Sequence, residues 1–308
     1  MIRKLRNIIG ISAILLASVS PLQLSAQDPI EIEPLFEYPM APEELTSIQD
    51  KSNYLVDHFW DPMDFKSKAT VDQNALNHAF KIYAVPMRWA EKTRSLASAD
   101  KLIEKISKNP VLLIQFTKAA EENIYSPRAD VWIDEVYVRF LQAIVKNKKV
   151  PESKKKHYSR QLKVLGNSML GEKVPEFKFT GKDGKEATYF PMTTPTMLIF
   201  GDPAMTEWRL ARLSMETNIQ LTQALERGKV NILYIVPDAD NKTWKDDTSN
   251  YPSTWTVGCS PEVRDIFDFR VRPSIYVVNG EGKIVMKNVD PDTATAELLR
   301  LVSAADNK

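Results

Sequence analysis

The sequence predicts an α+β chain of two domains, an all-α N-terminal domain followed by an α/β domain built on a mixed sheet. Three observations carry this. From about residue 42 to 166 apolar residues recur at helical spacing, with almost no glycine and no strand pattern. After Gly166 the texture changes to short apolar runs separated by turn residues. Those runs alternate with helical patterns in the order β-β-β-α-β-α-β-β-α.

Residues 1–26 are set aside as a signal peptide. Arg3, Lys4 and Arg6 form a basic start, Ile8 to Val19 an apolar stretch, and Leu24-Ser25-Ala26 a cleavage site. An uncleaved anchor is the alternative, although the stretch is short for a span of about 20 residues. Residues 27–41, acidic and holding Pro29, Pro34 and Pro39, read as an extended leader. In the helical domain, 42–166, a first segment runs from Glu43 to Trp60. Leu76, Ala79, Phe80 and Tyr83 then mark one buried helix face. Ser98 is the expected cap of a helix carrying Leu102, Ile103 and Ile106. Pro110 opens a helix with Leu112, Leu113 and Phe116. Another follows Pro127, with Trp132, Val136 and Phe140 on one stripe, and Pro151 starts the last. Lys146 to Lys156 is lysine-rich, and a solvated helix end is a better reading of it than an anion dock.

In the domain from 167 to 308, Val174–Phe179 and Ala187–Phe190 are strands joined by the turn Gly181-Lys182-Asp183-Gly184. Met197–Phe200 is a strand, Arg209–Arg227 a helix ending at Gly228, and Val230–Val236 a strand buried on both faces. The stretch Lys242–Val257 reads as irregular. Ser260-Pro261-Glu262 looks like a helix cap, Ser274–Val278 and Lys283–Met286 form a hairpin, and Thr293–Val302 closes the domain as a helix.

The bulk numbers exclude some functions. A formal charge of +1 over 308 residues leaves no basic excess to neutralise phosphates, so no nucleic-acid partner is expected. No stretch after the signal peptide is apolar enough to span a bilayer. With one cysteine, Cys259, the chain has no internal disulfide and cannot cycle between dithiol and disulfide.

Residues 167–304 resemble the thioredoxin-like fold, in its extracytoplasmic thiol–disulfide and peroxiredoxin-related branch. Three stretches carry the likeness. "GEKVPEFKFTGKDGKEATYF" (171–190) resembles the hairpin that precedes the core. "TPTMLIFGDPAMTEW" (194–208) is similar to the strand-to-helix turn that bears Cys-x-x-Cys. "FRVRPSIYVVNGEGKIVMKN" (269–288) resembles the strand pair that begins at the family's cis-proline, here Pro273. On that pattern the cysteine positions fall on Met205 and Trp208, with Thr206 and Glu207 between them. The resemblance therefore implies a degenerate active-site turn without thiol–disulfide oxidoreductase activity, since a thioether and an indole cannot exchange disulfides. The helical part, in stretches such as "LFEYPMAPEELTSIQDKSNYLVDHFWDPMDF" (35–65), resembles an uncharacterised domain of secreted proteins of Gram-negative anaerobes. That likeness implies export to the periplasm or cell surface.

The expected role is non-enzymatic: holding or binding a protein or peptide in the cell envelope. The candidate groove is Met205, Trp208, Arg272 and Pro273, where an edge backbone could accept an extended peptide. The alternative is that Met205 and Trp208 fill the space of the missing dithiol. Cys259, just before the cap at Ser260, is the candidate reactive thiol of a single-thiol enzyme, or else a small buried hydrophobe. No cofactor and no metal site is expected. His58, His78 and His157 are scattered, and Asp238, Asp240, Asp246 and Asp247 lack the ordered spacing of a calcium loop. Trp244 and Trp255 read as caps on the sheet edge rather than platforms for sugar rings.

Overall fold

A computed structural model describes residues 32–66, 70–191, 193–238 and 243–306. The expected signal peptide, the start of the leader and Asp240 lie outside these. The helical part comprises α1 (Ile48–His58), α2 (Gln73–Ala84), α3 (Lys92–Ile106), α4 (Pro110–Ile124), α5 (Asp134–Lys146) and α6 (Glu152–Gly166), with a 3₁₀ turn at Val85–Arg88. Local chemistry sets their starts. The side chains of Ser47, Asp72 and Asn109 accept backbone N–H groups from Asp50, from Ala75 and from Val111 and Leu112. Leu76, Ala79, Phe80 and Tyr83 all point into the core, where Trp60 meets Tyr83 and Phe116 edge-on at 5.3 and 5.2 Å.

Two expectations for this part are corrected. Ser98 caps nothing. It lies inside α3, its hydroxyl donating to the Val56 carbonyl at 2.6 Å and meeting Tyr83 Oη at 2.8 Å. A buried serine is tolerated there because both its roles are filled. Trp132 precedes α5 instead of sharing its stripe, and its ring is 41% exposed.

The second part is a seven-stranded mixed sheet: β1 (Phe177–Gly181), β2 (Glu186–Tyr189), β3 (Thr196–Phe200), β4 (Asn231–Val236), β5 (Thr256–Cys259), β6 (Ser274–Val278) and β7 (Ile284–Lys287). The order is β2-β1-β5-β4-β3-β6-β7, with β3, β4 and β5 parallel and the other pairings antiparallel. Every residue of β3 and β6 is buried, which explains their unbroken apolar runs. Met197 and Ile199 face the layer of α7 (Thr206–Thr217), α8 (Ile219–Glu226) and α10 (Pro291–Asp306), while Leu198 and Phe200 face Phe177, Phe267 and Tyr276. The single helix expected over Arg209–Arg227 is broken at Asn218, whose extended backbone (ψ 103°) ends α7 and whose side chain caps α8. The expected irregular stretch holds one helical turn, α9 (Trp244–Asp247), and the strand β5. Residues 33–308 form one compact unit.

Candidate functional site

Strand β3 ends at Phe200, and the chain turns into α7 within five residues. Gly201 permits the turn. A Cβ there would stand 3.2 Å from Pro273 Cβ and 3.4 Å from Tyr234 Oη, so a larger residue would press on Pro273 unless it shifted by a few tenths of an ångström. Asp202 accepts the Ala204 N–H at 2.9 Å, and Met205 N–H donates to the Asp202 carbonyl at 3.2 Å. Met205 is the N-cap of α7 without a side-chain cap, and Thr206 and Glu207 are exposed in the first turn. The Arg272–Pro273 peptide bond across from this turn is cis.

Trp208 corrects the expected groove. Its side chain is 0% exposed, stacked on Tyr234 at 5.1 Å with a 16° tilt, and its Nε1 donates to Tyr251 Oη at 2.8 Å. An indole so enclosed cannot touch a ligand; it is part of the core. Arg212, one turn further along α7, lies 4.4 Å over the Tyr251 ring and reaches Asn250 and Glu216, each at 3.2 Å. Burial raises the pKa of Tyr234 and Tyr251, so both hydroxyls stay protonated. Trp244 and Trp255 are buried in the same core, which removes the sugar-stacking alternative.

A crevice of about 310 Å³ opens beside the turn, at the C-terminal ends of β3 and β4. This is where open α/β sheets bind ligands. Its walls include Asp202, Asp238, Arg264, Phe269 and Arg272. Of the four expected groove residues only Arg272 lines it. Arg264 and Phe269 carry no sequence signal, because they reach the crevice from a 3₁₀ turn (Pro261–Asp265) and a loop far along the chain.

Cys259 ends β5 opposite Val236, half-buried, with Sγ 3.5 Å from the Asp238 carbonyl. Burial first, then the Asp238 carboxylate, push its pKa up. The helix expected to follow is one 3₁₀ turn, and Ser260 gives its hydroxyl to the Lys178 carbonyl instead of capping it. The histidines are apart: His58 pairs with Asp61, His78 meets Tyr38, and His157 pairs with Glu121. Among the described residues no three His, Cys, Asp or Glu side chains gather as metal ligands, and no helix is long and apolar enough to cross a membrane. In the lysine-rich stretch Lys155 is buried and bonded to Glu152 at 2.8 Å.

The crevice is not the only opening. A cleft of about 680 Å³ lies between the two parts, lined by α4 and α6 on one side and residues 264–270 on the other. Behind it a buried ion cluster joins them. Arg270 Nη2 lies 2.6 Å from Asp134 and 2.5 Å from Asp268, and Lys287 Nζ lies 2.5 Å from Asp134. The guanidinium also stacks 4.3 Å from the Tyr125 ring and 5.3 Å from that of Trp132.

One solved structure agrees with this architecture over most of its length. A thioredoxin-like protein from Bacteroides caccae ATCC 43185 superposes with a TM-score of 0.71 at 18% identity, over 86% of this chain and 98% of its own. A conserved protein of unknown function from Bacteroides fragilis aligns with a TM-score of 0.40 at 24% identity, over 42% of this chain and 99% of its own. The thioredoxin domain of a thiol-disulfide oxidoreductase from Bacteroides vulgatus gives 0.37 at 19%, over 44% and 98%. No curated protein matches the sequence. The fold of the sheet-bearing part is thioredoxin-like. A family model described as a domain of unknown function (DUF5106) matches residues 15–168, half of the 308, and the chain belongs to that family.

Proposed function

We propose that this is an exported, redox-inactive thioredoxin-like protein that binds a protein or peptide of the cell envelope at the face formed by the Gly201–Met205 turn and Arg272. The observation that carries the reading is Trp208. At the position that the resemblance matches to the family's second cysteine stands an indole locked by Tyr234 and Tyr251, with no cysteine in the turn. Beside it a crevice remains open, lined by exposed Arg272. The basic and apolar pattern of residues 1–26 supports export. The rival reading, a single-thiol enzyme at Cys259, is weakened by the upward pKa shift, which lowers the thiolate fraction at neutral pH.

The test is an insulin-reduction assay on the purified protein and its Cys259→Ser variant, alongside photo-crosslinking from positions 205 and 272. Neither protein should reduce insulin faster than the added reductant alone, and both crosslinker positions should trap the same discrete partner in cells. Turnover that disappears with Cys259 would replace this reading with the single-thiol enzyme.

A further inference from the structure

The crevice at the turn and the cleft between the two parts share two wall residues, Arg264 and Phe269. The crevice at the end of β3 and the cleft beneath α4 and α6 therefore adjoin at these two side chains. Their acids are engaged. Asp202 accepts the Ala204 N–H, Asp238 has interactions of its own, Glu121 holds His157 at 2.8 Å, and Glu122 lies 3.7 Å from Lys118. Asp268 is spent on Arg270, and Arg160 on Asp265 at 2.8 Å. Two cations differ. Arg264 donates through Nε to the Pro237 carbonyl at 2.6 Å, which fixes its plane, and among the described residues no carboxylate pairs with it or with Arg272. Arg264, fixed in plane, and the exposed Arg272 beside it present guanidinium N–H groups that a carboxylate of a bound chain can take.

We propose that crevice and cleft act as one groove for an extended polypeptide segment rich in acidic side chains, with a carboxylate seated on Arg264 and the chain running from Arg272 to the lip of α4 at Lys118. This rests on the peptide-binding reading of the turn and makes the helical part half of the binding site. Adjoining compartments of about 310 and 680 Å³ suit an extended chain better than one rounded small molecule.

The experiment is fluorescence anisotropy of the purified protein with labelled decapeptides of alternating glycine and glutamate, or glycine and lysine. The glutamate peptide should bind at least about tenfold more tightly than the lysine peptide, and Arg264→Gln should weaken it about tenfold. Arg272→Gln, at an exposed position where misfolding is no concern, and Lys118→Glu at the helical lip should each weaken it measurably. Equal affinity for the two peptides, or indifference to Arg264→Gln and Lys118→Glu, would overturn the groove. So would full competition by free glutamate. A peptide that binds regardless of its charge and is lost on Met205→Glu leaves the peptide-binding reading standing without the groove. No binding of either peptide, together with no crosslinked partner from positions 205 and 272, removes both.

Discussion

At the scale of single residues, Trp208 is enclosed by packing on every side. Its ring lies between Tyr234 and Trp255, and its one polar atom is satisfied by Tyr251. Trp208→Ala should therefore cost about 3–5 kcal/mol, measured as a lower urea midpoint, because the space cannot collapse between fixed rings. Tyr251→Phe should cost about 1 kcal/mol in the same measurement by orphaning the indole N–H. The sequence placed Trp208 at the right turn but could not give its depth. Tyr234 and Tyr251 come from β4 and from the loop after α9, and no local spacing links them to α7. Arg264 was invisible for the same reason, whereas Arg272 was legible because it stands next to a proline in a recognisable strand pair.

At the scale of elements, legibility followed burial. Strands β3, β4 and β6 announced themselves because both faces are covered, so nearly every residue is apolar. Strand β5, with the sequence Thr-Val-Gly-Cys, has two buried residues and hides behind a tryptophan-bearing loop. It is a strand because the open edge of β4 pairs with it. The break between α7 and α8 was hidden because no proline or glycine interrupts residues 209–227. Asn218 makes it by accepting the Leu221 N–H at 3.0 Å. Asn218→Ala should lower stability by about 1 kcal/mol, seen as a shift in the urea midpoint without a change in slope.

At the scale of the whole molecule, the helical and sheet parts are joined by charge. Arg270 is 3% exposed at its side chain and is held by one acid from each part, Asp134 at the start of α5 and Asp268 beside the sheet. Arg270→Ala should cost about 3–5 kcal/mol, because it leaves buried carboxylates uncompensated. Burial works against ionised Asp134, but Arg270 and Lys287 outweigh it and hold its pKa below the usual carboxylate range. A group depressed in the folded state adds stability above its unfolded value of about 3.9 and loses it as pH falls through the folded one. The urea midpoint should thus hold its Asp134-dependent part from pH 7 to about 5 and shed it below about 4, and Asp134→Asn should blunt that acid loss. The cluster also bears on how such chains can be recombined. A foreign helical domain spliced before this sheet would supply no acid for Arg270 and Lys287 unless it began a helix with one at the position of Asp134. Either part is therefore exchangeable only with that one acid preserved.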